Sequence, residues 1–313
     1  MQKKVSIVIP SYNEEQTIMT VYETLTDIMQ KTGYSYELIY VDNSSYDNSY
    51  QIFRDLVKRD KRVKVIRYSR NFGYQMALKG GIDNSDGDCV ICIDGDLQDP
   101  PELIIEFLQK WKEGYKVVYA IRKNREGNKI RNLFYKLFYR IINKLSDIKL
   151  PIDSGEFGLM DRRVVEIIKS MPEINVYLRG LRAWCGFKQI GIEYIRRDRK
   201  RGKSKFNFSR NLKLAFDGIT GFSNKPLELI FYTGIICTFV SLVLILYAII
   251  SKIFLFKSAI SGWASLLVVI VFFGGVQLFS IGILGEYLGR LFEEMKKRPK
   301  YIISEILKHN DKN

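Results

Sequence analysis

The sequence predicts an α/β domain with a mostly parallel sheet, followed by two helices that cross a membrane. Three observations predict it. From Lys4 to about Ala120, apolar runs of strand length alternate with helix-length polar stretches, the pattern of βαβ units. Past Pro226 come two long apolar runs, and their only charge is Glu228, near the start of the first. The fourth strand-like run ends abruptly in Asp94, Asp96, Gln98 and Asp99. Side chains at the carboxyl edge of an open parallel sheet face the crevice where such folds take ligands.

Taken in order, Val5 to Ile9, Leu38 to Val41, Val63 to Tyr68, Cys89 to Ile93 and Val117 to Ile121 are too short for helices and read as buried strands. Pro100 and Pro101 suit the first turn of the helix after the fourth. Segment 129–147 is a basic amphipathic helix: Leu133, Phe134, Leu137, Phe138, Ile141, Ile142 and Leu145 recur at helical spacing between Arg131, Lys136, Arg140 and Lys144. It packs on the core or lies at a membrane surface, and 209–226 can do the same. Leu227 to Ile250 and Ser258 to Leu284 each exceed the roughly 20 residues a spanning helix needs. Lys205, Arg210, Lys213 and Lys225 precede the spans and Arg290, Lys296, Lys297 and Arg298 follow them, against Lys252 and Lys257 between. Positive-inside counting therefore puts both ends in the cytoplasm. The expected division is a catalytic domain at 1–208, an interfacial helix at 209–226, a hairpin at 227–290 and a cytoplasmic tail at 291–313.

Composition narrows the partners. The formal charge is +15, from 49 Lys and Arg against 34 Asp and Glu, which calls for an anionic partner: nucleic acid, membrane surface or phosphorylated substrate. The hairpin and the acidic strand end disfavour nucleic acid. The chain has four cysteines, and Cys89 and Cys92, three apart on a strand, point to opposite faces. They read as buried cysteines of a reducing compartment, not as a redox or metal pair. The N-terminal apolar stretch is too short for a signal peptide, so the first domain is expected in the cytoplasm.

Asp-x-Asp at a strand end suits a hard cation, Mg²⁺ or Mn²⁺, shared with substrate phosphates. Such a cation neutralises a diphosphate leaving group. The only histidine, His309, lies in the polar tail, so no histidine base is at hand. A phosphate acceptor, with a second pKa of about 6, needs none. Blander readings stay open: Arg122 and Arg125 can bridge surface acids, and Arg196 to Lys205 can be a solvated loop.

"VSIVIPSYNEEQTI", "YELIYVDNSSYDNS", "SRNFGYQMAL", "DGDLQDPPELI", "GYKVVYAIRKNREG", "RGKSKFNF" and "GEYLGRLFEEMKKRPKYII", in that order around a membrane hairpin, resemble the family 2 glycosyltransferases of the GT-A fold. Within it they are similar to the polyprenyl-phosphate sugar transferases, the relatives of dolichyl-phosphate mannose synthase and the bacterial GtrB-type glucosyltransferases. The resemblance implies that Pro10, Tyr12, Asn13, Glu14, Asp42, Asn43 and Asp94 line the nucleotide pocket. It implies that Asp94, Asp96 and Gln98 hold the metal and diphosphate, that Asp96, Glu156 and Arg122 serve the chemistry, and that Arg125, Arg199, Ser204 and Lys205 grip the lipid phosphate. The implied reaction moves a hexose, glucose first, from a UDP-sugar to undecaprenyl or another polyprenyl phosphate with inversion. The implied setting is a homotetramer among the lipids of the bacterial cytoplasmic membrane. A GDP-mannose or UDP-GlcNAc donor stays open, as does a non-enzymatic flippase or channel subunit. A chain-extending synthase would carry a Q-x-x-R-W motif, which is absent. Two departures stand out: "DDGS" is here Asp42-Asn43-Ser44-Ser45, and Gly-Asp-Phe-Arg is here Gly155-Glu156-Phe157-Gly158. Gly158 removes a cation, which reads as a changed sugar or acceptor preference.

Overall fold

A computed structural model describes residues 2–123, 154–173, 176–196, 225–254 and 263–309. Segment 129–147, most of 209–226, and Arg125, Arg199, Ser204 and Lys205 lie outside the described residues. The chain divides into two compact units, one holding the sheet and the residues from Arg298 onward, the other the two long helices.

The first unit is built on an eight-stranded sheet. Its strands are β1 (Lys4–Ser11), β2 (Ser35–Asp42), β3 (Val63–Tyr68), β4 (Cys89–Cys92), β5 (Val117–Arg122), β6 (Ser154–Asp161), β7 (Gln189–Tyr194) and β8 (Ile303–Leu307), in the order β7-β5-β6-β4-β1-β2-β3-β8. β1 runs parallel to β2 and β4, β2 to β3, and β5 to β7, whereas β6 is antiparallel to both its neighbours and β8 to β3. The first four strands follow the doubly wound order 3-2-1-4, so the switch point falls between the carboxyl ends of β1 and β4.

Six helices cover the sheet: α1 (Ile18–Thr32), α2 (Ser49–Arg59), α3 (Tyr74–Asp83), α4 (Leu103–Lys112), α5 (Arg162–Ser170) and α6 (Leu178–Trp184). On one face Val5, Ile7, Ile9, Leu38, Tyr40 and Ile91 meet Val21 and Leu25 of α1, Phe53 of α2 and Phe107 of α4 in one buried cluster. Alternate residues point the other way. There α3 packs on β1 and β2, and α5 on β4 and β6. Burial on both faces is why the central strands read as unbroken Val and Ile runs rather than as alternation.

Three strands depart from the expected list. β6, which the sequence reading did not assign to any element, is a central strand between β4 and β5. β7 forms one edge. Residues 303–307, read as part of a free tail, form the other: Val65 pairs with Leu307 and Arg67 with Glu305. Tyr301 leads into that strand with its ring stacked on Tyr68 at 5.0 Å and its hydroxyl on Asp83 at 2.8 Å. Pro100 and Pro101 lie just ahead of α4 rather than in it, their carbonyls accepting from Leu103 N and Ile104 N. Cys89 and Cys92 are buried free thiols with raised pKa values, burial being the main cause.

The second unit holds α7 (Lys225–Phe254) and α8 (Trp263–Met295). Both are long and apolar enough to cross a bilayer, with mean hydropathy 1.8 in the spanning windows. Leu229, Phe231, Phe239, Leu278 and Phe279 are all more than half exposed, a surface that water would penalise and lipid would not.

Candidate active site

The site grows from the carboxyl ends of β1, β2 and β4. Asp42, the last residue of β2, is fully buried beside Ser11 of β1. Its Oδ1 accepts from Ser45 N at 2.9 Å, while Oδ2, without a hydrogen bond among the described residues, faces Arg67 Nε at 3.5 Å. Past β1 the chain turns sharply: Asn13 adopts φ +54°, its Oδ1 accepts from Tyr46 N and its N–H donates to Ser45 Oγ. Tyr12 meets Tyr46 edge-on at 6.1 Å, and Glu14 N donates to Ser49 Oγ. Pro10, Tyr12, Asn13, Glu14 and Asp42 thus share one edge of the sheet.

Asn43 does something the sequence did not show. Its amide nitrogen donates to Asn71 Oδ1 at 3.0 Å and its oxygen accepts from Phe72 N at 2.9 Å. Asn71 Oδ1 also takes Gly73 N, and Gly73 sits at φ +94°, where a side chain would be strained. An aspartate at 43 could not donate to Asn71. The amide is taken up by the 69–73 turn, which starts α3 at Tyr74.

Tyr74 then reaches across the switch point. Its hydroxyl donates to Asp94 Oδ1 at 2.5 Å. Tyr74 as a residue is 41% exposed, yet desolvation at its hydroxyl end, and then the Asp94 charge, raise that hydroxyl's pKa above the ordinary tyrosine range. Asp94 itself is pushed up to about 6 by burial and then by the charge of Asp99, with the Tyr74 bond pulling the other way. Asp96 Oδ1 accepts from Gln98 N at 3.1 Å across Leu97, which adopts φ +54°. The loop is a tight turn that keeps two carboxylates at the end of β4.

The third acid of the loop is differently placed. Asp99, 1% exposed, lies between Arg122 Nη2 at 3.7 Å, Arg196 Nε at 3.3 Å and the hydroxyl of Tyr194, which donates to it. Arg122 also donates to Tyr194 Oη at 3.0 Å. Arg122 therefore bridges a buried acid, not a surface one, and its charge still reaches Asp94.

Glu156, 6% exposed on β6, has Oε1 accepting from Gln75 Nε2 at 3.0 Å and Arg179 Nε at 2.9 Å, while its buried Oε2 takes no hydrogen bond among the described residues. Gly158 has no room for a side chain. A Cβ there would lie 2.6 Å from the Val118 carbonyl and 3.0 Å from Arg182 Nη1. Arg182, 1% exposed, reaches the Gly155 carbonyl at 3.4 Å and lies over the Tyr119 ring. A cation is thus present beside position 158, borne by α6 instead of β6.

Sequence reasoning missed Tyr74, Gln75, Arg67 and Arg182, and placed Asp99 at the strand end without giving it a role. Tyr74 and Gln75 were signalled by their place at a helix start behind a glycine, and Asp99 by the loop it shares with Asp94. Among the described residues no group of three or more His, Cys, Asp or Glu side chains could hold a metal ion.

An open α/β sheet with buried acids gathered across its switch point, joined to an apolar helical hairpin, is the architecture of a membrane-associated enzyme with its ligand crevice at that sheet edge. Residues 6–168 match the family described as Glycosyl transferase family 2, and residues 225–291 match the GtrB C-terminal hairpin. The chain is 45% identical to the uncharacterized glycosyltransferase YkcC of Bacillus subtilis (strain 168), covering 96% of this chain and 93% of that one. It is 40% identical to the prophage bactoprenol glucosyl transferase homolog of Escherichia coli (strain K12), over 97% and 100% of the two chains. It is 39% identical to the bactoprenol glucosyl transferase of Shigella phage SfII, over 98% and 99%. The chain belongs to glycosyl transferase family 2 and carries the GtrB-type C-terminal hairpin.

Proposed function

We propose that this glycosyltransferase moves glucose from UDP-glucose to a polyprenyl phosphate at the cytoplasmic face of the membrane, with inversion at the anomeric carbon. The observation that carries the reading is end-to-end similarity: bactoprenol glucosyl transferases align with this chain at 39–40% identity through both the catalytic domain and the hairpin.

The side chains suit that reaction. Asp42, at the end of β2, offers a buried acceptor oxygen for a base N–H, and Arg67 beside it offers a donor. Glu156 and its two arginines face the same end of the sheet from β6 and α6. The acceptor's phosphate oxygen is already ionised near neutral pH, so the site needs to align two anions and exclude water rather than supply a strong base. Tyr74, protonated and hydrogen-bonded, keeps the Asp94 carboxylate oriented.

The residues fit a Mg²⁺ or Mn²⁺ ion. Asp99 is engaged by Arg122, Arg196 and Tyr194, and Asp94 and Asp96 supply two hard oxygen donors at one strand end. Burial, and then the Asp99 charge, raise the Asp94 carboxyl, so a cation beside it would favour its ionised form. One or two carboxylates completed by substrate phosphates is the usual arrangement for such ions. When bound, the ion would neutralise the departing diphosphate.

Connectivity supports the proposed orientation: the chain leaves the catalytic unit before α7 and rejoins its sheet at β8, which suits two crossings with both hairpin ends on one side. Lys225, Arg290, Lys296, Lys297 and Arg298 at the hairpin ends favour the cytoplasm for that side. The test offers undecaprenyl phosphate and undecaprenol side by side with labelled UDP-glucose. Label should enter the lipid phase only with the phosphate; equal labelling of the alcohol would contradict a base-free site.

A further inference from the structure

The strand that closes the sheet beside the Asp42 edge is the one reached only through the membrane hairpin. β8 is held to β3 by backbone pairing, by Ser69 N donating to the Ile302 carbonyl at 3.0 Å and by Ser304 Oγ donating to the Arg67 carbonyl at 3.1 Å. Glu305 stands directly opposite Arg67 in the register. Glu305 Oε2 accepts from Tyr50 Oη at 2.5 Å. The Tyr50 ring in turn lies under the Arg67 guanidinium, with Cζ 3.8 Å from its centroid. Arg67 then faces, at 3.5 Å, the buried Oδ2 of Asp42, which takes no hydrogen bond among the described residues.

These contacts form one chain, Glu305 to Tyr50 to Arg67 to Asp42. We propose that β8 is a positioning element of the donor site: Glu305 fixes the Tyr50 ring, the ring fixes Arg67, and Arg67 presents Asp42 to the nucleotide base. Tyr50 and Glu305 act through Arg67 and touch no substrate. The inference rests on the reading of the Asp42 edge as the base end of a UDP site. A guanidinium free to rotate would leave a buried carboxylate without its nearest cation and a base pocket without a fixed donor. The post-hairpin segment would then contribute to donor affinity as well as to the sheet.

The experiment measures UDP affinity by calorimetry on the full-length protein in detergent, with donor KM, kcat and thermal midpoint for each variant. Tyr50→Ala should weaken UDP binding about tenfold, raise donor KM in step and leave kcat at saturating donor within about twofold. Tyr50→Phe keeps the ring but loses the Glu305 bond, so it should show an intermediate loss of about threefold, and Glu305→Ala, which removes the same bond from β8, should match it; wild-type affinity in both overturns the role of β8. Wild-type UDP affinity in Tyr50→Ala overturns the inference alone. So does an affinity loss that follows the thermal midpoint through the three variants, since that marks a purely structural role. A wild-type protein that binds no UDP contradicts the donor reading and overturns this inference with it.

Discussion

At the residue scale, Tyr74 and Asp96 separate two kinds of contribution. Asp96 is a carboxylate at the β4 edge, and Asp96→Asn keeps its shape while removing its charge. That variant should lose at least about a hundredfold in kcat with its thermal midpoint unchanged, read from initial rates and an unfolding scan. Tyr74→Phe removes one hydrogen bond to a charged group, so turnover should fall roughly tenfold with folding intact. Gly158 makes the opposite prediction. Its missing side chain reads in the sequence as a lost substrate cation, but the Val118 carbonyl fills that space. Gly158→Ala should therefore cost stability, about 1–3 kcal/mol, before it alters sugar preference. A variant of normal stability and altered donor choice would contradict that placement. Asp94 and Asp96 were legible because strand-end acids are local signals. Their partners were not: Tyr74 is 20 residues away from Asp94, and only the turn held by Asn43 brings it there.

At the scale of elements, the strands that the sequence shows are those buried on both faces, where Val and Ile run unbroken. β6 and β7 were hidden by glycines and acids that make sense only once their neighbours are known, since Gly158 and Gly191 admit close packing. Asp161 shows how such elements are tied. Its carboxylate accepts from Trp111 Nε1 of α4 at 2.8 Å, from Lys116 Nζ at 2.9 Å and from Arg163 N at the start of α5. Burial works against the charge, yet those bonds hold its pKa below the ordinary value. A depressed carboxyl stabilises the fold fully above its unfolded pKa, about 3.9, and loses that contribution as pH falls through the folded value. Thermal midpoints should therefore drop below about pH 4 in the wild type, and Asp161→Asn should flatten that part of the profile. β8 was hidden for another reason, because five residues after a long apolar helix carry no signal of the strand they will meet. Tyr301→Ala, which loses a stacked ring and a hydrogen bond, should lower stability by about 2 kcal/mol in thermal unfolding.

For the whole molecule, fold and anchor answer one problem. The acceptor's tail belongs in lipid and its phosphate at the headgroup level, so an enzyme acting on it gains by being tethered there. The excess of basic residues suits both a membrane surface and two phosphorylated substrates. The hairpin was legible because length and lack of charge are enough to mark a span. What the sequence could not show is that the chain returns from the hairpin to finish the sheet. The most direct test of the account is a transfer assay with the full-length protein, undecaprenyl phosphate, Mg²⁺ or Mn²⁺ and a panel of labelled UDP- and GDP-sugars, scored for label in the lipid phase. The account predicts labelled lipid from UDP-glucose, abolished by chelation. Labelled lipid from GDP-mannose alone, or no lipid product from any donor by a protein that binds UDP, would contradict it.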